Sequence, residues 1–133
     1  MKINKSMINS EILNKVSFGR AIHRDGTKAP DLIDVILQNH LNGQVLYGAS
    51  MNQENFAETL EIGFVVLYSK SRKTRWFKGE TSGDKLQVVN IFLNCNNDQL
   101  LIQVIPIGAG VCHEKDENGI SKPTCFSKLL LEV

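Results

Sequence analysis

One well-marked helix set among short β-branched runs constrains the fold of this chain most. Asn52 is a good N-cap, its side-chain oxygen able to accept the free amides of a first turn, and Gly63 stands where a left-handed residue closes the last one. Phe56 and Leu60, with Met51 just before, recur at the spacing of one helical face. The surrounding pattern is that of strands. Residues 32–38 and 44–49 flank the hairpin dipeptide Asn42-Gly43, residues 64–68 form another run, and residues 86–94 and 99–106 flank Asn96-Asn97-Asp98. One helix and a series of hairpins predict an α+β domain with a mostly antiparallel sheet.

The remaining segments are less regular. Ser10 is expected to cap a short helix to about Val16, residues 23–30 read as an irregular polar connection, and residues 69–83 as a polar, basic connection. A chain of 133 residues suits one core, so the expected division is an N-terminal extension over 1–29 and a single domain over 30–133. No stretch approaches the roughly 20 continuous apolar residues that cross a bilayer, and residues 1–19 lack the apolar run of a signal peptide. A cytoplasmic protein is expected, with no membrane partner. The net charge of +1 supplies no global field for nucleic acid, so any anion recognition is local.

Three features carry chemistry. Cys95, Cys112 and Cys125 are an odd set in a chain expected to stay reduced, which leaves buried free thiols or metal ligands. A three-thiolate site would match catalytic zinc, which keeps its fourth position for water, and His113 beside Cys112 would serve as proton carrier or further ligand. Strand alternation sends Asn94 and Asn96 to the face opposite Cys95, with Asp98 joining them if the turn stays extended. Magnesium prefers carboxylates and only Asp98 is charged, so a polar hairpin turn is the simpler reading there. The third feature is residues 69–83. Its five basic side chains, hydroxyls, Trp76 and two glycines suit phosphate oxygens and an aromatic base, although a solvated basic loop has the same composition.

Taken in order, Gly43-Gln44-Val45-Leu46, Ala49-Ser50-Met51-Asn52, Ser69-Lys70-Ser71-Arg72, Trp76-Phe77-Lys78-Gly79-Glu80-Thr81-Ser82-Gly83, Gln87, Cys95, Cys112-His113 and Cys125-Phe126 resemble the phosphoribosyl-AMP cyclohydrolase family. That resemblance extends over residues 32–126. It implies an intertwined homodimer, with zinc held by Cys95 of one subunit and by Cys112 and Cys125 of the other. It further implies that zinc-activated water attacks C6 of the N1-substituted adenine of 1-(5-phosphoribosyl)-AMP in histidine biosynthesis, breaking the N1–C6 bond, with His113 as the catalytic proton carrier. The implied substrate contacts are Ser69, Ser71, Arg72, Trp76, Lys78, Gly79, Glu80, Thr81, Ser82 and Gly83.

This sequence departs from the family pattern in three places. An Asp-Cys-Asp-x-Asp magnesium motif appears here as Asn94-Cys95-Asn96-Asn97-Asp98, so Asn94, Asn96 and Asp98 form at best a weakened magnesium site. A short His-Thr-Gly step between the last two cysteines is expanded over residues 114–124, and a Tyr and an Asp near the first hairpin are replaced by Ser50 and Asn39. The alternatives are a diverged paralogue hydrolysing another purine nucleotide and a non-catalytic, zinc-stabilised nucleotide-binding dimer. A fused pyrophosphohydrolase domain is not expected at this length.

Overall fold

The computed structural model describes residues 3–19 and 22–133. Met1, Lys2, Arg20 and Ala21, four residues of the expected N-terminal extension, lie outside the described set. Among the described residues, a short 3-10 helix at Lys5–Met7 precedes six strands and two α-helices, in chain order α1 (Ser10–Leu13), β1 (Ile33–Asn39), β2 (Val45–Met51), α2 (Gln53–Ile62), β3 (Val66–Ser69), β4 (Thr74–Phe77), β5 (Leu86–Leu93) and β6 (Gln99–Pro106). The fold is α+β.

Its main sheet has the order β2-β1-β6-β5. The β1–β2 and β5–β6 pairs are antiparallel hairpins, whereas β1 and β6 run parallel, Asp34 facing Gln99 and Asn39 facing Val104. This parallel seam joins the two hairpins and places β1 and β6 at the centre. Strand alternation then fills the core from one face: Ile33, Val35 and Leu37 of β1 and Leu100, Ile102 and Val104 of β6 are all buried.

Helix α2 is fixed at both ends by its sequence. Asn52 Oδ1 accepts the Asn55 amide at 2.7 Å and Asn55 Oδ1 accepts the Asn52 amide at 3.0 Å, a reciprocal cap, and Gly63 closes the helix at φ 78°. Thr59, fully buried, donates its hydroxyl to the Asn55 carbonyl at 2.9 Å and accepts the Val66 amide at 3.0 Å, which ties the helix to the first residue of β3. Strands β3 and β4 form a separate two-stranded sheet, Leu67 facing Trp76.

Three expectations are corrected here. Residues 74–77, read as connection, are strand β4; their side chains do not alternate in polarity, and pairing with the wholly buried β3 makes the strand. Asn9, not Ser10, caps α1, accepting the amides of Glu11 and Ile12, and the helix ends at Leu13. Residues 23–30 are more ordered than an irregular connection. Ile22 bridges Lys28, and His23 is buried with Nε2 2.8 Å from the Tyr68 hydroxyl. The N-terminal segment also contributes to packing, Ile3, Leu13, Val16 and Phe18 lying against the core. Among the described residues no helix is long and apolar enough to cross a membrane.

Candidate functional site

A cleft of about 530 Å³ opens between β4, the turn that follows it and the two C-terminal cysteines. Its base is set by β2. Thr124 Oγ1 donates to the Val45 carbonyl at 2.7 Å and the Cys125 amide to the Leu46 carbonyl at 2.8 Å, pinning Cys125 beside the start of that strand. On the other side the amides of Val111 and Cys112 both donate to the Lys122 carbonyl at 2.9 Å, and Lys122 donates back to Glu114 at 3.0 Å. The expanded step between the cysteines is therefore a closed hairpin-like loop. It brings Cys112 and Cys125, thirteen positions apart, into the lining of one cleft, where each thiol feels the other's charge.

Burial and the neighbouring Cys112 thiol push the Cys125 thiol up to about 12. Cys112 is buried, and its sulfur accepts the Glu114 amide at 3.4 Å. Tyr47 lies alongside. Its hydroxyl is buried with no hydrogen-bond partner among the described residues, and its pKa is raised by desolvation first and by both thiols second. An orphaned buried hydroxyl beside two sulfurs marks a place prepared for something the chain itself does not supply. Two adjacent thiols are half of a tetrahedral zinc set, so this donor group fits that metal.

Cys95 is elsewhere. It is exposed in the β5–β6 turn, off one end of β6, whereas Cys112 follows the other end. The eight residues of β6 alone span on the order of 25 Å. A zinc–sulfur bond is only about 2.3 Å, so one chain cannot bring all three sulfurs to one ion. Accordingly, no group of three or more His, Cys, Asp or Glu side chains among the described residues is placed to hold a metal.

The basic segment divides by role. Trp76 stacks on Tyr47 with ring centroids 6.3 Å apart and planes at 26°, and the Arg72 guanidinium lies 6.0 Å from the Trp76 ring. Ser69 Oγ accepts the Arg72 amide at 3.2 Å and lies 3.3 Å from Ser71 Oγ, which shapes the β3–β4 turn. Lys78 is buried at the cleft wall. Desolvation lowers its pKa, opposed by Asp84 and the two thiols. Gly79 has φ 82°, and a Cβ there would collide with the Lys85 amide, so only glycine lets the chain turn after Lys78. Glu80, Thr81 and Ser82 line the opening, and Gly83 closes the turn with its amide on the Gly79 carbonyl at 2.8 Å. His113, exposed, lines the same cleft.

Asn94, Asn96 and Asp98 lie with Cys95, remote from this cleft. The turn does not stay extended, since Asn97 has φ 62°. Asn94 Oδ1 accepts the amides of Asp98 and Gln99 at 2.9 and 3.0 Å, and its amide nitrogen donates to Asp98 Oδ1 at 2.9 Å. Asn94 thus works as the cap of a polar hairpin turn, while Asn96 is exposed.

The sequence reading missed Tyr47, Asp84 and Ser121. A tyrosine in a strand reads as packing, and its orphaned hydroxyl is visible only once the thiols are in place. Ser121 donates to Asp84 Oδ2 at 3.1 Å, a long-range contact with no local signature.

A family described as Phosphoribosyl-AMP cyclohydrolase matches residues 48–127. The chain is 44% identical over 106 residues to the phosphoribosyl-AMP cyclohydrolase of Solibacter usitatus, covering 80% of this chain and 79% of that one. It is 43% identical over 101 residues to the phosphoribosyl-AMP cyclohydrolase of Listeria innocua, covering 76% and 90%. It is also 46% identical over 86 residues to the histidine biosynthesis bifunctional protein HisIE of Vibrio parahaemolyticus, covering 65% of this chain and 40% of that protein.

Proposed function

Because the chain belongs to the phosphoribosyl-AMP cyclohydrolase family, we propose that it hydrolytically opens the adenine ring of 1-(5-phosphoribosyl)-AMP in histidine biosynthesis, as a cytosolic homodimer using zinc. The observation that carries this reading is the meeting of Cys112 and Cys125 in one cleft with Trp76, Lys78 and the turn from Gly79 to Gly83. Cys95 of a second copy would complete the sulfur set, since β6 holds the chain's own Cys95 away.

Zinc, when bound, lowers the pKa of water so that hydroxide is available near neutral pH. The chain's own groups do the rest. The Tyr47–Trp76 stack offers the purine a flat apolar wall. Arg72 and Lys78 face the cleft as cations for phosphate, Lys78 at the cost of a buried charge. His113 is positioned on the lining to take the proton from attacking water and return it to N1 as the N1–C6 bond breaks. Magnesium has no essential part in this reading, because Asn94 is committed to its turn.

The test is hydrolysis of phosphoribosyl-AMP, followed by its absorbance change, together with metal analysis of fresh protein. Turnover that a chelator abolishes and zinc restores is expected, at one zinc per chain. Zinc-loaded protein with no turnover, with or without magnesium, refutes the proposal. Rescue of a histidine auxotroph lacking this enzyme gives the same answer in a cell.

A further inference from the structure

Trp76 has a cleft on each side. One holds the thiols; the other, of about 650 Å³, has β1 and β2 as its floor and is lined by Arg24, Lys70, Ser50, Ser69 and Ser71. Its outer wall, Ile22, His23 and Arg24, belongs to a segment fastened to the β3–β4 hairpin at two points. Buried His23 meets the Tyr68 hydroxyl at 2.8 Å, and Lys73 Nζ lies 2.8 Å from Asp25 Oδ2. Asp25 is itself held by the Thr27 amide and hydroxyl at 3.0 and 2.6 Å.

These contacts sort the cations of residues 70–73. Lys73 is spent on Asp25, Arg72 turns onto the Trp76 ring and lines the thiol cleft, and Lys70 faces the second cleft beside Arg24. Among the described residues neither Arg24 nor Lys70 has an ion-pair partner, while Asp34 on the floor is itself engaged. Two cations, three hydroxyls and an aromatic edge form an anion site that the thiol chemistry does not use.

The substrate has a matching layout. It carries one ribose 5-phosphate on N1, next to the reacting C6, and another on N9, across the purine. With C6 at the thiols, the N1 arm shares their cleft. We infer that the second cleft binds the 5′-phosphate of the AMP half, through Arg24 and Lys70 with the hydroxyls of Ser69 and Ser71, and that His23 and Asp25 are positioning residues holding Arg24 there. This rests on the cyclohydrolase reading for the identity of the ligand.

AMP and adenosine binding to the zinc-loaded full chain tests the assignment, because the two ligands differ only in the phosphate. Arg24→Ala with Lys70→Ala is expected to weaken AMP roughly tenfold to hundredfold, the scale of one or two charge-assisted hydrogen bonds, and to leave adenosine unchanged. Arg24→Lys should recover part of the loss. Equal weakening of both ligands, or of neither, overturns the assignment, as does finding that Arg72→Ala removes the advantage of AMP while the double variant keeps it. Binding is read without turnover, so loss of the cyclohydrolase reading would appear separately as an inactive wild-type enzyme.

Discussion

The Ser121 hydroxyl donates to Asp84 Oδ2 at 3.1 Å, joining the loop between the thiols to the turn that follows Lys78. Each partner belongs to a different wall of the cleft, so this bond helps to hold the two walls together. Ser121→Ala should cost about 1 kcal/mol of stability, the net worth of a typical hydrogen bond, and raise KM several-fold more than it lowers kcat. Thermal melts and steady-state kinetics read the two effects. A variant with unchanged KM would show that the loop does not shape the site.

Shared sulfur sets make a sharper prediction. Cys95→Ser and Cys112→Ser proteins should each be inactive, yet mixed under conditions that exchange subunits they should recover about a quarter of wild-type activity. Half the dimers are then mixed, each with one complete site of two. No recovery would refute a sulfur set shared between subunits.

Lys78 should trade stability for function. Burial lowers its pKa, so the folded chain binds this proton less readily than the unfolded one. Stability from this group therefore rises as pH climbs from the depressed pKa toward the ordinary lysine value, and the penalty is fully present below it. Lys78→Met is expected to leave stability at pH 7 unchanged or raise it by about 1 kcal/mol, while KM rises tenfold or more. Denaturant titrations at pH 7 and pH 10 test the sign, and a variant less stable at pH 7 would reverse it.

Zinc affinity should weaken as pH falls. Burial and the Cys112 thiol raise the pKa of Cys125, so binding must displace its proton, and each proton released changes apparent affinity by about tenfold per pH unit. Competition with a chelator between pH 6 and pH 8 measures the slope; a flat profile would mean that Cys125 is not a ligand.

The helix-to-strand lock offers a control far from the chemistry. Thr59→Val leaves the buried Val66 amide without its acceptor and should cost about 1–3 kcal/mol. The specific activity of the folded fraction should stay unchanged.

The legible parts of the fold were those written locally. Asn52 and Gly63 bound α2 because a cap is a property of one side chain or one φ angle, and Asn42-Gly43 marked the β1–β2 turn for the same reason. Strand β4 was hidden because its order comes from β3, and the parallel β1–β6 pairing because its partners are more than sixty residues apart. The site divided likewise. The cysteines, Trp76 and Lys78 stand out by residue type, while Tyr47, Asp84 and Arg24 acquire their surroundings only through distant segments.

Gly110 faces the Ser121 carbonyl so closely that any Cβ would strike backbone, not a side chain able to swing aside. Position 110 and the loop over residues 114–124 are thus one heritable unit. A descendant that shortened the loop would free its codon at 110 to drift, whereas one that kept the loop would meet a backbone collision at the first change there. Gly110→Ala should accordingly lower the melting temperature of the chain by forcing that strand of the loop away from position 110.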